Sequence, residues 1–129
     1  MSGDRFYAGL IGLSGWRLWA VAGLLGAIGS LAFAPTHMVP VLVPALTGLL
    51  LFCTSAASFR AAFIIGWWFG FGHFVTGFYW VANSFVVADV GFIAGVFAVA
   101  ALAESFAFSI ALVGAVCNVA RLSGVFQVV

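Results

Sequence analysis

The sequence has no lysine and few charged residues of any kind. Its 129 residues include four arginines and three acidic residues, so charged residues make up 5% of the chain, against about 25% in a typical soluble protein. So few charges cannot cover a globular surface, which excludes a soluble enzyme, a disordered tail and a coiled coil. Four positive charges form no basic patch, which excludes nucleic-acid binding through phosphates. The class that remains is an integral membrane protein, or a piece of one.

Long apolar runs lie between the few charges. Hydrophobic residues make up 66% of the chain, the mean hydropathy is +1.30, and residues 18–59 and 61–88 contain no charge. A helix that crosses a bilayer needs about 20 apolar residues. The runs are continuous and lack the alternation of a membrane β-barrel. We therefore predict an all-α membrane protein, a bundle of four transmembrane helices over residues 18–34, 38–54, 61–83 and 92–118.

The predicted organisation is a single membrane domain over residues 1–129. The apolar tail, residues 119–129, is predicted to be the truncated start of a further helix. The link at residues 35–37 is so short that the first two helices should be antiparallel neighbours. Pro44 lies inside the second predicted helix, where it should kink the helix or shift its start.

The positions of the arginines predict the orientation. Arg5 and Arg17 precede the first helix, and Arg60 and Arg121 follow the second and fourth helices. Four spans place all of these arginines on one side of the membrane, while the other side carries Asp89 and no arginine. By the positive-inside rule, both termini are expected in the cytoplasm.

Cysteine is also scarce. Cys53 and Cys117 both fall near the predicted cytoplasmic ends of helices, where disulfides rarely form, so we expect none. No closely spaced cysteine or histidine cluster has the pattern of a metal site. The sequence predicts neither a metal nor a cofactor.

Small residues recur at steps of four in three of the predicted helices. Helices within lipid associate through close contact between such residues. The rows therefore predict a tight bundle, without indicating a function. They are Ala22, Gly26, Ser30 and Ala34; Ala62, Gly66 and Gly70; and Gly91, Gly95, Ala103, Ala107, Ala111 and Ala115, with Val99 as an interruption.

Glu104 lies near the centre of the fourth predicted helix. A charge there costs about 2.5–3.5 kcal/mol, so it should face the bundle interior, be paired, or be neutral. His73 lies near the middle of the antiparallel third helix, at a similar depth, and we predict an intramembrane polar pair between the two residues. The alternative is a protonated carboxyl bonded to the hydroxyl of Ser105, Ser109 or Thr76. A structural contact is the simpler interpretation, and a proton or substrate relay is the functional one.

A polar and aromatic cluster is predicted at the outer interface. Tyr79, Trp80 and Asn83 lie at the outer end of the third helix, and Asp89 lies in the loop that follows. Such residues anchor a helix end at the membrane surface. The functional hypothesis is contact with a lipid headgroup or with a substrate that approaches from outside.

The most distinctive motif lies in the third helix. Residues 59–74 read FRAAFIIGWWFGFGHF and residues 77–81 read GFYWV, and this run resembles the third membrane segment of bacterial apolipoprotein N-acyltransferases. Residues 18–35, which end in LAFAP, resemble the family's first helix and the turn after it. The opening LSGWR, residues 13–17, resembles alphaproteobacterial members in particular, and the resemblance extends over residues 13–122.

The resemblance implies a function. That family transfers an acyl chain from a phospholipid to the N-terminal amine of a diacylglyceryl-cysteine lipoprotein, at the outer face of the bacterial inner membrane. It implies a larger multi-pass protein with a periplasmic nitrilase-like domain. There a Glu–Lys–Cys triad supplies the general base, the group that stabilises the oxyanion, and the nucleophile.

The chain departs from this pattern. It ends at Val129, has no lysine, and has Asp89 as its only predicted outer acid. No triad residue can be placed, so no catalytic residue is predicted. The resemblance implies the N-terminal membrane part of an acyltransferase, inactive alone: a fragment, a pseudogene product, or a split subunit whose partner is the C-terminal half.

Two alternatives fit the composition. A small four-helix transporter that acts as a dimer would suit the spans and Glu104, but such transporters usually carry the key glutamate in the first helix, which has none here. A structural membrane subunit would explain the lack of catalytic groups.

Overall fold

The described chain is helical. The computed structural model describes residues 15–32 and 37–124, and within these ranges it has no β-strand, which confirms the all-α class. Predictions that rest on Arg5, on residues 33–35 of the LAFAP turn, or on residues 125–129 lie outside the described residues.

The described residues form five α-helices and two short 3₁₀ turns. In chain order these are α1 (Trp16–Gly29) with a 3₁₀ turn (Ser30–Ala32), a second 3₁₀ turn (Val39–Val41), α2 (Leu42–Ser55), α3 (Phe59–Gly77), α4 (Tyr79–Val87) and α5 (Phe92–Leu122).

Local sequence explains where α2 and α3 begin. Pro44 lies in the first turn of α2, where its missing N–H would have had no helical partner. The predicted second helix, residues 38–54, corresponds to the 3₁₀ turn Val39–Val41 followed directly by α2, so the α-helical part begins at Leu42. Ser58 caps α3, because its Oγ accepts a hydrogen bond of 3.3 Å from the Ala61 N–H.

The prediction of one helix over residues 61–83 is wrong, because α3 and α4 meet at a bend of 40°. The Thr76 hydroxyl donates to the Gly72 carbonyl at 2.6 Å and to the His73 carbonyl at 3.2 Å. Such bonds from a hydroxyl back to its own helix promote bending. Gly77 then ends α3 without a side chain to support continuation.

The fourth predicted helix exists and is longer than expected. It was predicted over residues 92–118, and α5 runs from Phe92 to Leu122. Residues 119–122, assigned from the sequence to a further helix, continue α5 instead. Gly124, with a positive φ of 78°, follows the end of the helix.

Two stretches of the described chain are long and apolar enough to be candidate spans. One is α5, and the other is α3 with α4 if the bent pair is counted as one span. The first two predicted helices correspond to shorter apolar stretches, Trp16–Ala32 and Val39–Ser55.

Small residues bring α3 and α5 into backbone contact. A Cβ atom on Gly70 would lie 2.7 Å from the Cα of Ala107, and one on Gly66 would lie 2.9 Å from the Cα of Ala111. These distances leave no space for a side chain on either glycine. The pairing also shows that α3 and α5 run antiparallel.

The contact between α1 and α3 is equally close. A Cβ atom on Gly26 would overlap the Phe69 carbonyl group, and one on Gly72 would overlap the Gly23 carbonyl group. Each helix therefore contributes a glycine that admits the backbone of the other, as in membrane helix pairs that associate through small residues.

The direction of α1 follows from its contacts. A Cβ on Gly23 would lie 3.5 Å from the Trp68 carbonyl oxygen, and one on Gly29 would lie 3.3 Å from the Nδ1 of His73. Moving forward along α1 thus means moving forward along α3, so the two helices run in the same direction.

The rows of small residues predicted from the sequence are largely confirmed within the described part of the chain. The buried members are Ala22, Gly26, Ala62, Gly66, Gly70, Gly95, Ala103, Ala107, Ala111 and Ala115, and Val99 is buried among them. Ser30 is half-buried and Gly91 is exposed.

Three of the arginines share one end of the helix assembly. Arg17 and Arg60 lie at the starts of the parallel helices α1 and α3, and Arg121 lies in the last turn of the antiparallel α5. The opposite end of the assembly holds the α3–α4 bend and the turn between α4 and α5.

Candidate functional site

A groove opens between the α3–α4 bend and the first half of α5. Its volume is about 510 Å³, which lies within the size range of ligand pockets. Apart from one phenol and one amide, its lining is apolar. The lining residues are Phe71, Val75, Tyr79, Ala82, Asn83, Phe92, Val96, Val99 and Ala100.

One wall of the groove is fixed by another close helix contact. A Cβ on Gly95 would lie 2.7 Å from the carbonyl oxygen of Ala82, so α4 rests directly on the backbone of α5. Because the chain bends between α3 and α4, α4 packs against α5. The groove lies between the bend and α5.

Two polar side chains lie at the groove. Tyr79 and Asn83 are four residues apart on α4, which places them on the same helix face. Both residues are exposed, and Tyr79 has 59% of its surface accessible. Of the four residues predicted at the outer interface, the structure brings these two together in the groove. Trp80 and Asp89 are exposed but are not part of the lining.

Asp89 occupies the turn between α4 and α5. Its φ is 59°, in the left-handed region that aspartate tolerates better than most residues. The Val90 N–H donates to the Phe85 carbonyl at 3.0 Å, and Gly91 follows with a φ of 103°. The local backbone thus explains an aspartate at this position without a ligand.

Glu104 is exposed on α5 and has a partner on α3. The Trp67 indole N–H donates to the Oε1 of Glu104 at 3.1 Å. Trp67 in turn stacks on Phe71, with ring centroids 5.2 Å apart and planes at 11°. The neighbouring Ser105 hydroxyl donates to the Ala101 carbonyl of its own helix at 2.9 Å.

His73 lies against α1. Its Nδ1 is 3.0 Å from the Gly26 carbonyl oxygen, and its ring stacks with Phe69 at a centroid distance of 6.1 Å. Gly29 leaves room for the ring, since a Cβ there would lie 3.3 Å from Nδ1. The glycines of α1 thus form the surface against which the imidazole packs.

The structure gives His73 and Glu104 different partners. The register that sets Gly70 opposite Ala107 carries His73 to the level of Glu104, in accord with the depth argument. The carboxylate, however, bonds to Trp67, while the imidazole bonds to α1. Sequence reasoning overlooked that a tryptophan in an apolar helix also needs an acceptor for its indole N–H.

Asn118 is a buried polar residue that sequence reasoning missed. Its Nδ2 donates to the carbonyl groups of Cys53 and Ala56, at 2.9 Å in both cases. These carbonyls lie at the end of α2, where helical partners run out. The side chain is fully buried, and its Oδ1 has no hydrogen-bond partner among the residues that the structure describes. Asn118 therefore ties α5 to the end of α2. An amide within an apolar helix is the signal that could have revealed it.

The two cysteines are both free thiols and both line a cleft of about 170 Å³ between α2 and α5. Cys53 is buried, and its Sγ is 3.7 Å from the Ala62 carbonyl oxygen. Within residues 15–32 and 37–124, no group of three or more histidine, cysteine or acidic residues is arranged to hold a metal ion.

Comparison with known families gives a match over most of the chain. Residues 25–129 match the family model described as the apolipoprotein N-acyltransferase N-terminal domain. The matched region includes the groove, the Trp67–Glu104 pair and Asn118.

Individual relatives give the same result. The chain is 42% identical over 89 residues to an apolipoprotein N-acyltransferase of Rhodopseudomonas palustris, an alignment that covers 65% of this chain and 17% of the relative. It is 33% identical over 93 residues to that of Allorhizobium ampelinum, covering 65% of this chain and 18% of the relative. It is 38% identical over 68 residues to that of Rickettsia typhi, an alignment that covers 51% of this chain and 14% of the relative. The chain thus spans less than a fifth of the length of these relatives.

Proposed function

Because the chain belongs to the apolipoprotein N-acyltransferase N-terminal domain family, we propose that it is the membrane-embedded N-terminal part of such an enzyme. The whole enzyme would transfer an acyl chain from a phospholipid to a lipoprotein. The chain would not be catalytic alone, since a Glu–Lys–Cys triad cannot come from a sequence without lysine.

Four spans account best for the helices. The stretches Trp16–Ala32 and Val39–Ser55 are each about 25 Å long at 1.5 Å per residue, near the lower limit for crossing a bilayer. With α3–α4 and α5 they make an up-and-down bundle and one membrane domain. Large apolar side chains exposed around this bundle, such as Val43, Phe97 and Val116, suit contact with lipid.

The arginines orient the bundle. Arg17, Arg60 and Arg121 share one end, and the positive-inside rule assigns that end to the cytoplasm of a bacterial inner membrane. The groove, with Tyr79 and Asn83, would then open near the outer face, where lipoproteins are acylated.

The groove is the observation that carries the proposal. An apolar groove of about 510 Å³ at the end opposite Arg17, Arg60 and Arg121 suits an acyl chain, and the phenol and amide at its edge suit the polar part of a lipid. Its role would be to hold a phospholipid donor or the lipid part of the lipoprotein beside the catalytic domain of the complete enzyme. Trp80 and Asp89 would flank that site and contribute to its anchoring.

Reconstitution from two parts tests this function. A bacterium depleted of its own apolipoprotein N-acyltransferase would receive this chain, the remainder of the Rhodopseudomonas palustris relative, or both. Mass spectrometry of a reporter lipoprotein would measure N-acylation. We expect acylation with both parts and none with either alone.

The intact relative serves as the positive control. Acylation by this chain alone would contradict the proposal. So would a lack of acylation with both parts present in the membrane when the intact relative restores it.

A further inference from the structure

Five side chains form a continuous line on one side of the α3–α5 contact. We call Phe63, Trp67, Phe71, Glu104 and Phe108 the aromatic seam; Phe71 also lines the groove, so the two surfaces adjoin at this ring. The Phe63 and Phe108 rings are 5.6 Å apart, edge to face. One helical turn further, Trp67 bonds to Glu104 at 3.1 Å and stacks on Phe71. The two helices thus present one joint surface of aromatic rings with a single carboxylate.

The seam faces away from the packed interior of the described helices. Glu104 is exposed, and Phe108 has 53% of its surface accessible. Phe63, Trp67 and Phe71 are half-buried. By contrast, Ala103 and Ala107, the residues of α5 beside the seam, have no accessible surface.

The Glu104 carboxylate can accept more hydrogen bonds than the described residues donate to it. An ionised carboxylate can accept several hydrogen bonds, and in the described residues Glu104 receives one, from Trp67. Ionisable side chains in membrane helices almost always face a bundle interior or a water-filled cavity. Glu104 therefore marks a side of the bundle that becomes interior only when another element covers it.

We propose that the aromatic seam is the docking face for a further membrane helix, and that this helix donates a hydrogen bond to Glu104 from a cationic or amide side chain at the same depth. The inference rests on the membrane embedding put forward under the proposed function. The docking helix would belong to the remainder of the enzyme, which accounts for most of the length of the relatives.

Charge complementarity selects this occupant over two others. A lipid acyl chain has no donor for the carboxylate. A second copy of the same face would bring phenylalanine rings and a second carboxyl, and it has no cationic or amide side chain to donate to Glu104. A helix with a donor side chain supplies what the seam lacks.

Designed helices can test the preference directly. The probes are two fluorescent peptides with the same leucine–alanine membrane helix, one with arginine and one with leucine at the central position. The arginine peptide is chosen because its copies repel one another. The full chain, labelled with an acceptor dye, is reconstituted in phosphatidylcholine vesicles, and energy transfer gives the association constant for each peptide.

We expect the arginine peptide to bind the parent chain roughly tenfold more tightly than the leucine peptide. Glu104→Leu should abolish the preference, and Glu104→Gln should retain part of it, because its amide oxygen still accepts. Ser109→Leu, which also replaces an exposed polar residue of α5, is the matched control and should leave the preference intact.

Three results would overturn the inference: equal binding of the two peptides by the parent chain, an unchanged preference in Glu104→Leu, or self-association of the chain that blocks both peptides. Circular dichroism and resistance to carbonate extraction separate these results from a failure of the proposed function. A chain that does not insert contradicts both proposals, whereas an inserted, helical chain without the preference contradicts the docking face alone.

Discussion

The two sides of α3 differ in the size of the residues that meet there. Toward α1, glycines admit the opposing backbone, and Gly26 leaves no space for a Cβ next to Phe69. Toward the aromatic seam and the groove, rings of phenylalanine, tryptophan and tyrosine stand at partly open surfaces. The first side is complete within the described chain, and the second has room for a ligand or a partner.

The difference separates stability from function. Packing between small residues tolerates little change but offers no chemistry, so we expect it to control folding. The open side contributes less to the free energy of unfolding, because its side chains are only partly enclosed. Substitutions on the two sides should therefore affect different measurements.

The largest effect is expected at the α1–α3 contact. Gly26→Ala would place a methyl group on the Phe69 carbonyl and should lower the free energy of unfolding by about 3 kcal/mol. Gly23→Ala in the same helix is the matched control, because its Cβ would lie 3.5 Å from the nearest atom. Unfolding of the detergent-solubilised protein would measure both changes, and equal effects would refute the close contact.

A smaller loss is expected from Asn118→Leu. The change removes both hydrogen bonds to the end of α2 and should cost about 2 kcal/mol, with some relief because the unpartnered Oδ1 is removed as well. Val119→Leu, at the exposed neighbouring position, is the control for bulk. The same unfolding assay applies. If Asn118→Leu were as stable as the parent, the two hydrogen bonds from Asn118 to the end of α2 would contribute nothing to stability.

The turn between α4 and α5 should show a smaller effect again. Asp89→Val places a β-branched residue at a φ of 59° and should destabilise the chain by about 1 kcal/mol. Asp89→Asn tolerates this conformation and should be neutral in thermal unfolding. If the asparagine variant instead abolished N-acylation in the reconstituted enzyme, the carboxylate would have a role beyond the turn.

The smallest effect on stability is expected in the groove. Asn83→Ala changes an exposed side chain and should alter the free energy of unfolding by less than about 0.5 kcal/mol. It should nevertheless weaken the binding of a fluorescent phospholipid to the reconstituted chain. If Asn83→Ala instead lost much of its stability and bound lipid normally, Asn83 would have a structural role and not a role in the groove.

The helices and their contacts could be predicted from the sequence because both follow from local pattern. Continuous apolar runs predict helices, and steps of four between small residues identified the faces that Gly66, Gly70, Ala107 and Ala111 present to each other. The bend at Gly77 was missed because the apolar pattern continues across it, and such a pattern does not reveal the hydrogen bonds that the Thr76 hydroxyl makes back to its own helix.

The candidate site was less predictable, because it depends on how helices rotate against each other. Depth along an antiparallel pair can be counted, so His73 and Glu104 were placed at the same level. The contacts of each side chain depend on its neighbours on the other helices. The glycines of α1 leave room for the His73 ring, and the Trp67 indole N–H bonds to Glu104. Tyr79 and Asn83 could be singled out because both are polar residues near the end of an apolar run, but their shared face at the groove was not predicted.

Lipid photolabelling tests the central claim, that the groove accommodates an acyl chain, most directly. The full chain would be reconstituted with a phospholipid that carries a photoreactive group on its acyl chain, and labelled residues would be mapped by mass spectrometry. We predict stronger labelling of groove residues such as Val75 and Val96 than of Val116 and Val119, which are exposed elsewhere on α5 and line neither the groove nor the α2–α5 cleft. Labelling of the groove no stronger than that of Val116 and Val119 would contradict the account.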